Sequence, residues 1–559
     1  MNYSKNAFPF IKSGIWRHTI TTKNSSTPKL VQKGGHSFFR KFGTQIKKGP
    51  LRRGQLLASG SAFATLFGLS FFDFSNHGIT VKEVMSHNSP KDCWIVLNDD
   101  VYDVTEFLNK HPGGVSPLME VAGKDATLKF SQVHSTTTLE KMKEQLVFVG
   151  KLRGKFENFL NEEELRIEEL KTRVPPLETI FSLSDFESVA KEVLPKTTFT
   201  FFATGSADEF TLRENHYAYS RVFFKPRVLQ DIEPEEIDTS TSFLGSKVDL
   251  PIYVSGFAGS RLAHPLGEKN LQAAAYKYNM MQMVPKQNSF SPEEFYPDVP
   301  SNQVQTQQFH FNERREIDEV DKLLRDLEKR PTIKGVFFNV DLADIGNREK
   351  DNKQRIKNTA ENAGVDSIVD HRYGQYPKFT WGDVEKIVKS TSIPVALKGV
   401  QRGEDVVLAA KKGIKAVVLS NTGGRQLDYS RPPLEVLAES RKMLKENKLE
   451  EKIELYLDGG IRRGSDVVKA LCLGAKGVGL GRPFLYAMAG YGEDGASHLI
   501  GILKEEIKNN MRLLGVKRIE DLNESFIDAK GLNLRTPRAN DVLYDSAYMP
   551  LSFPEFKNL

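Results

Sequence analysis

The first 72 residues contain no aspartate or glutamate. They hold 12 lysines and arginines, so the formal charge of +6 is local to this leader. From Asp73 onward there are 66 basic and 72 acidic residues, a net of −6. That balance argues against nucleic-acid binding by the folded part. Cysteine is scarce as well: Cys93 and Cys472 are the only two. They cannot build a disulfide framework or a four-cysteine metal site. Charge of either sign is missing from Leu56–Phe72, a run of 17 residues interrupted by Gly and Ser. That length is at the short end for a membrane span.

A basic, acid-free leader rich in Ser and Thr has the composition of a mitochondrial presequence. The apolar run behind it suggests a two-part address over residues 1–73: import, then arrest or sorting at the inner membrane. The alternative is a basic tail with a permanent anchor. On the first reading the folded protein begins near Asp73–Thr80, in the mitochondrial intermembrane space. The remaining chain is long enough for more than one domain, and its 39% hydrophobic and 27% charged content fits soluble globular units.

Two glycine turns organise the C-terminal half. Ile453–Leu457 is apolar and runs into Asp458-Gly459-Gly460-Ile461-Arg462. Lys476–Leu480 is a second short strand, closed by Gly481-Arg482-Pro483. Both put bare backbone and an arginine at the C-terminal end of a strand. Glycine allows close approach, and arginine offers a forked donor for an anion. Two ordinary turns with solvent-facing arginines are the plain alternative. The repetition favours the phosphate grip after the last strands of a (β/α)₈ barrel. Upstream, apolar stretches recur between amphipathic helices: Ile252–Ser255, Met280–Val284, Gln307–Phe311, Gly335–Val340, Pro394–Lys398 and Ala416–Ser420. With the last two they make the eight strands of an α/β TIM barrel. Its chemistry belongs at the C-terminal strand ends. These carry Ser255-Gly256, Gln308 and His310, Asn339 and Asp341, Lys398, Ser420 to Arg425, Asp458 to Arg462, and Gly481-Arg482. A lysine ending an apolar strand is costly unless it meets an anion. Arg425 can hold a carboxylate in a bidentate fork, and Arg348 is a second candidate. Leu342–Thr380 is long and charged, which predicts a mobile loop over the barrel mouth.

A smaller α+β unit precedes the barrel. Cys93–Leu97 and Val101–Val104 read as strands, and Thr105 as the cap of a short helix. His111-Pro112-Gly113-Gly114 is a sharp turn, and His134 follows the helical stretch Ser116–Phe130. The two histidines can face each other across a slot lined by Phe107, Leu108, Leu118, Val121, Leu128 and Phe130. Two neutral imidazoles ligate iron and leave no open position, a site that moves single electrons. Residues 154–176 are charged and end at Pro175-Pro176, which predicts a solvated helix and a hinge.

DCWIVLNDDVYDVTEFLNKHPGG, AGKDAT and the later histidine resemble the cytochrome b5 domain family over residues 78–153. The resemblance implies haem b, with His111 and His134 as axial ligands. Residues 177–548 resemble the FMN-dependent 2-hydroxy-acid dehydrogenase family, most clearly in ENHYAYSRVFFKPRVL, LKGVQRGED and VVLSNTGGRQLDYSRPPLEVLAES. Residues 549–559 form a tail. The combination is similar to the flavocytochrome b2 family. It implies FMN bound by Ser255, Gly256, Gln308, Lys398, Asp458 to Arg462, Gly481 and Arg482. It further implies oxidation of L-lactate or a related 2-hydroxy acid, electron transfer through haem b to cytochrome c, and a homotetramer.

The chain departs from that pattern at the reacting centre. Thr422 stands where the family carries its catalytic histidine. His310 takes the place of a tyrosine, and Phe201-Phe202 that of a paired tyrosine. Pro285 replaces a flavin-contacting hydroxyl residue, and Asn339 a threonine. Loss of a general base removes about 10²–10⁴-fold of rate. Asp341 orients the histidine in the family, so His310 becomes its candidate partner here. Two readings follow: an oxidoreductase of the family's type, or a divergent haem-binding pseudoenzyme.

Overall fold

A computed structural model gives the structure and describes residues 78–111, 115–156, 162–311, 313–343, 346–359 and 377–534. The predicted leader, the Pro112–Gly114 turn and the C-terminal tail lie outside the described residues.

The small unit is a five-stranded sheet of order β1-β5-β4-β3-β2. Its strands are β1 (Ile79–Thr80), β2 (Asn88–Ser89), β3 (Asp92–Leu97), β4 (Asp100–Asp103) and β5 (Val147–Arg153). Asn98 and Asp99 turn β3 into β4 with φ of 52° and 66°, the left-handed pair a tight hairpin requires. Thr105 does not cap a helix as predicted. Its hydroxyl donates to Asp103 Oδ1 at 2.6 Å and accepts from the Cys93 amide at 2.9 Å, tying the strand end to the turn. The predicted helix Ser116–Phe130 is two pieces, Ser116–Met119 and Thr127–Val133. Between them Asp125 bridges to Val96 and interrupts the helical ladder.

The charged linker contains a helix, Glu162–Lys171. It is docked rather than free. Ile167 is buried, Arg166 pairs with Glu192 at 3.2 Å, and Glu163 accepts from the Lys196 amide at 2.9 Å.

β6 (Phe223–Phe224) pairs with β17 (Ile527–Asp528), which ties the end of the domain to its start. The hairpin β7 (Thr241–Phe243) and β8 (Ser246–Val248) comes next. Then the barrel runs through β9 (Ile252–Val254), β10 (Met281–Val284), β11 (Gln305–Phe309), β12 (Ile333–Asn339), β13 (Val395–Val400), β14 (Ala416–Leu419), β15 (Glu454–Asp458) and β16 (Gly477–Leu480). The sheet is parallel and closes through β16 and β9. Both faces are buried, so these strands read as near-continuous apolar runs.

Alternation sorts their side chains into two clusters. Val254, Val336, Phe338, Leu397, Val417 and Leu457 face the surrounding helices. Tyr253, Phe337, Ala396, Val418 and Tyr456 fill the interior. Phe243 of the hairpin stands edge-on to Tyr253 and Tyr456, 6.2 and 5.3 Å from their centroids, and closes the N-terminal end. Adding two to each interior position gives Ser255, Asn339, Lys398, Ser420 and Asp458. The packing period thus delivers these polar groups to the inner rim at the C-terminal end.

The predicted loop 342–380 holds a helix, Glu349–Thr359, in its described part. Arg355 lies 5.6 Å from the Phe201 ring, against the helix Lys196–Ala203.

Candidate active site and electron-transfer centre

In the small unit the two histidines meet. His111 ends a 3₁₀ turn whose Phe107 carbonyl accepts its amide at 3.0 Å. His134 ends the helix Thr127–Val133 in the same way on Phe130. Their ring centroids are 6.1 Å apart. With bonds of about 2 Å on each side, two imidazoles sharing one metal ion stand about 6 Å apart. Phe130 leans on His134 at 4.7 Å, and Phe107 lies 5.9 Å from His111. Burial first, then the neighbouring His111, push His134 down to about 4. It is therefore neutral at pH 7, as a ligand must be. Phe107, Leu108, Leu118 and Val121 line this core as predicted, but Leu128 does not: it is 70% exposed. It lies on the outer face of its helix.

At the barrel rim Lys398 is 3% exposed. Its Nζ lies 3.1 Å from Asp458 and donates to Ser420 Oγ at 3.0 Å. Ser420 Oγ donates to Asp458 Oδ1 at 2.5 Å and accepts from the Thr422 amide at 3.0 Å. Burial alone would lower Lys398; Asp458 and Asp341 more than offset it and hold it above the usual lysine range. Asp341 lies two residues beyond the end of β12, the strand beside β13. Thr422 Oγ1 donates to Asp341 Oδ2 at 2.5 Å, and Gln426 Nε2 donates to the Asp341 carbonyl at 2.7 Å. Burial raises Asp341, against Lys398 and the Thr422 bond. A Cβ on Gly399, where φ is +106°, would stand 2.5 Å from Asp341 Cγ, so glycine makes the room.

Asp341 thus takes Thr422 as its partner, not His310 as the sequence suggested. The charges that act on His310 are Lys286 and Glu316, and burial brings its imidazole down to about 4. The reason is position: Thr422 and Asp341 both follow inner-face residues, and a short hydroxyl suffices to join them.

Three guanidiniums, those of Arg348, Arg425 and Arg482, converge here. Arg425 Nη1 donates to the carbonyls of Phe201 and Thr204 at 2.7 and 3.1 Å. Burial, then Arg348 and Arg482, hold Arg425 well below the usual arginine range. Arg482 donates to the carbonyls of Phe202, Gly423 and Thr204 at 2.8, 2.9 and 3.0 Å. It opens the helix Arg482–Leu514 just after Gly481. Arg462 turns to the helix Leu183–Val193, pairing with Glu187 and donating to Ser184 at 3.2 Å. Gly459 and Gly460 have φ of +94° and +81°, and Ile461 is buried behind them. Gln308 donates to Asn339 at 3.0 Å and lies so close to Gly256 that a Cβ there would be 2.1 Å from its Oε1. Ser255 Oγ is buried without a hydrogen-bond partner.

The sequence reading missed the pair that locks this rim. Asn215 and Asn421 exchange two side-chain bonds, 2.8 and 2.7 Å, across 206 residues. The only available signal was the position of Asn215 within ENHYAYS.

A parallel barrel with such a rim, behind a paired-histidine unit, is the architecture of a haem-carrying FMN-dependent dehydrogenase. Residues 190–529 match the FMN-dependent dehydrogenase family, and residues 80–153 the cytochrome b5-like haem/steroid-binding domain. The chain is 44% identical to an L-lactate dehydrogenase (cytochrome) of Wickerhamomyces anomalus, covering 86% of this chain and 85% of that one. It is 42% identical to the Saccharomyces cerevisiae protein of that description, covering 91% and 90%. The flavin-binding domain of baker's yeast flavocytochrome b2 aligns with a TM-score of 0.62 at 44% identity, over 72% of this chain and all of that one. A doubly substituted flavocytochrome b2 with pyruvate bound aligns equally, over 73% of this chain. The chain belongs to the flavocytochrome b2, or L-lactate dehydrogenase (cytochrome), family.

The two domain families imply FMN and haem. The residues present fit both. The imidazole gap fits one iron. The partnerless Ser255 hydroxyl, the buried Lys398 and the helix start at Gly481 fit an anionic ring cofactor.

Proposed function

We propose that the chain oxidises a short 2-hydroxy acid of the L-lactate class to its 2-oxo acid and passes the electrons through haem b to cytochrome c. The observation that carries this is the convergence of Arg348, Arg425 and Arg482 near Asp341 and Lys398 at the mouth of an FMN-family barrel. Such a concentration of positive charge calls for anions: a carboxylate substrate and a phosphate. FMN, when bound, supplies a two-electron acceptor that can release electrons singly. Arg425 and Arg348 hold the carboxylate. For Arg425 this exchanges neutral carbonyl acceptors for a charged one, and a charge-assisted bond is roughly twice as strong. Lys398 stabilises negative charge that develops over the rim, while Gln308 and Ser255 offer hydrogen bonds to the ring. The backbone of Gly459, Gly460 and Gly481 and the Arg482 guanidinium form the phosphate end, while Arg462, turned to Glu187, and Asp458, held by Lys398 and Ser420, are taken up elsewhere.

Thr422 supports a second reading, a haem-binding pseudoenzyme, because a threonine hydroxyl is no base at neutral pH. Anaerobic mixing of purified protein with L-lactate separates the two. Bleaching of the flavin band within seconds supports the dehydrogenase. A flavin band unchanged by lactate, glycolate and longer hydroxy acids supports the pseudoenzyme. The acid-free leader supports an address in the intermembrane space with transient inner-membrane contact. Among the described residues no helix is long and apolar enough to cross a membrane. Family kinship supports a homotetramer.

A further inference from the structure

We propose that Thr422 and Asp341 form a proton relay that takes the proton of the substrate hydroxyl, in place of a histidine base. The proposal rests on the reading of the barrel as a 2-hydroxy-acid oxidoreductase, and deepens it.

Three observations carry it. Thr422 Oγ1 already donates to Asp341 Oδ2 at 2.5 Å, so a path for one proton exists. The second oxygen, Asp341 Oδ1, is buried and has no hydrogen-bond partner. Such a carboxylate gains from accepting a proton. Thr422 is held with φ of +51°, an unusual conformation for a β-branched residue. It is fixed there by its amide bond to Ser420 Oγ, and Ser420 in turn is bonded to Lys398 and Asp458. Strained backbone at a rim of converging charges points to a functional constraint.

The step balances as follows. The substrate O–H bond breaks as its proton moves to Thr422 Oγ1. The threonine's own proton moves to Asp341 Oδ2. FMN, when bound, would accept the carbon-bound hydrogen with its electron pair, and the C–O bond would become a carbonyl. Asp341 ends protonated and threonine unchanged, so the hydroxyl never carries a full charge. Lys398 on β13 and Asp458 at the end of β15 are the charged groups that act on Asp341, with opposite signs. Threonine is a conduit here and Asp341 the base.

The test uses the full holoenzyme and four variants: Thr422→Val, Thr422→Ser, Asp341→Asn and the double Thr422→Val/Asp341→Asn. Anaerobic stopped-flow with L-lactate reads flavin reduction. Thr422→Val and Asp341→Asn are each expected to lose about 10²–10⁴-fold in the rate constant, the worth of a general base. The double variant is expected to lose no more than either, because the two act as a unit. Thr422→Ser, which restores the hydroxyl, recovers most of what Thr422→Val loses. Pyruvate affinity stays within a few-fold throughout, since the carboxylate site is untouched. Infrared difference spectra along an acid titration give a second readout independent of turnover. A carboxylic-acid band lost in Asp341→Asn is expected to shift in Thr422→Val, whose hydroxyl donor is gone.

Wild-type reduction rates in Thr422→Val overturn the relay and leave the substrate class standing. So do additive losses in the double variant. Reduction that appears only after Thr422→His also overturns the relay while supporting the substrate class. If neither wild type nor Thr422→His reduces flavin with any 2-hydroxy acid, the functional reading falls and the relay with it.

Discussion

Single residues here are set by what lies across from them. Gly460 has φ of +81°, and a Cβ there would stand 2.1 Å from the Asn215 carbonyl. Gly460→Ala therefore meets backbone rather than a side chain that can yield. It is expected to cost more than about 2 kcal/mol, strain and overpacking together. Chemical denaturation measures that loss; a variant as stable as wild type would show that the turn relaxes freely. His310 gives a pH prediction. Its folded value is about 4, below the ordinary 6.5. Above pH 6.5 both states are neutral and nothing is lost. As pH falls from 6.5 toward 4, the unfolded chain binds the proton first and stability drops, by at most about 3 kcal/mol. Denaturation midpoints of wild type should fall more steeply between pH 7 and 5 than those of His310→Gln. Equal slopes would show that His310 titrates normally. At this scale much of the rim was legible, because Lys398, Asp458 and Asp341 are polar residues at the ends of apolar runs. The partner of Asp341 was not. Whether a histidine one strand away or a threonine two strands away reaches a carboxylate depends on side-chain length and pointing, which no spacing encodes.

Elements were legible where their period was clean. All eight barrel strands lie within a few residues of their predicted places, since buried parallel strands announce themselves as apolar runs. The error in β11 has a local cause: polar Gln305 and Thr306 begin a strand whose register shifts between Gln305 and Gln307. The linker failed for the opposite reason. Glu162–Lys171 is charged almost throughout and reads as solvated, yet one buried residue, Ile167, fastens it. A single apolar anchor carries no periodicity. Its removal is correspondingly testable. Ile167→Asp should free the helix and raise the rate of protease cleavage within residues 154–176, while the barrel's melting temperature holds. Cleavage at the wild-type rate would mean that Arg166–Glu192 and the Glu163 contact to Lys196 are enough to dock it.

At the scale of the molecule, two cores stand apart. The histidine-bearing unit packs around Cys93, Ile95, Phe107 and Val121, and the barrel around its own inner and outer clusters. Among the described residues no shared core ties haem retention to barrel folding, so the two redox centres can be switched off one at a time. His111→Ala removes one of two imidazoles that face each other at 6.1 Å, and one histidine cannot close both axial positions. The variant should purify with its flavin band and without the haem spectrum. Flavin reduction by L-lactate should keep its wild-type rate, because Asp341, Thr422 and Arg425 belong to the barrel. Cytochrome c reduction should fall to background, because electrons then lack their single-electron relay. The two rates must therefore part company. If His111→Ala slows flavin reduction as much as cytochrome c reduction, the centres are not independent and haem helps to shape the barrel site. If both rates survive, electrons leave the flavin directly and the paired histidines are not on the path.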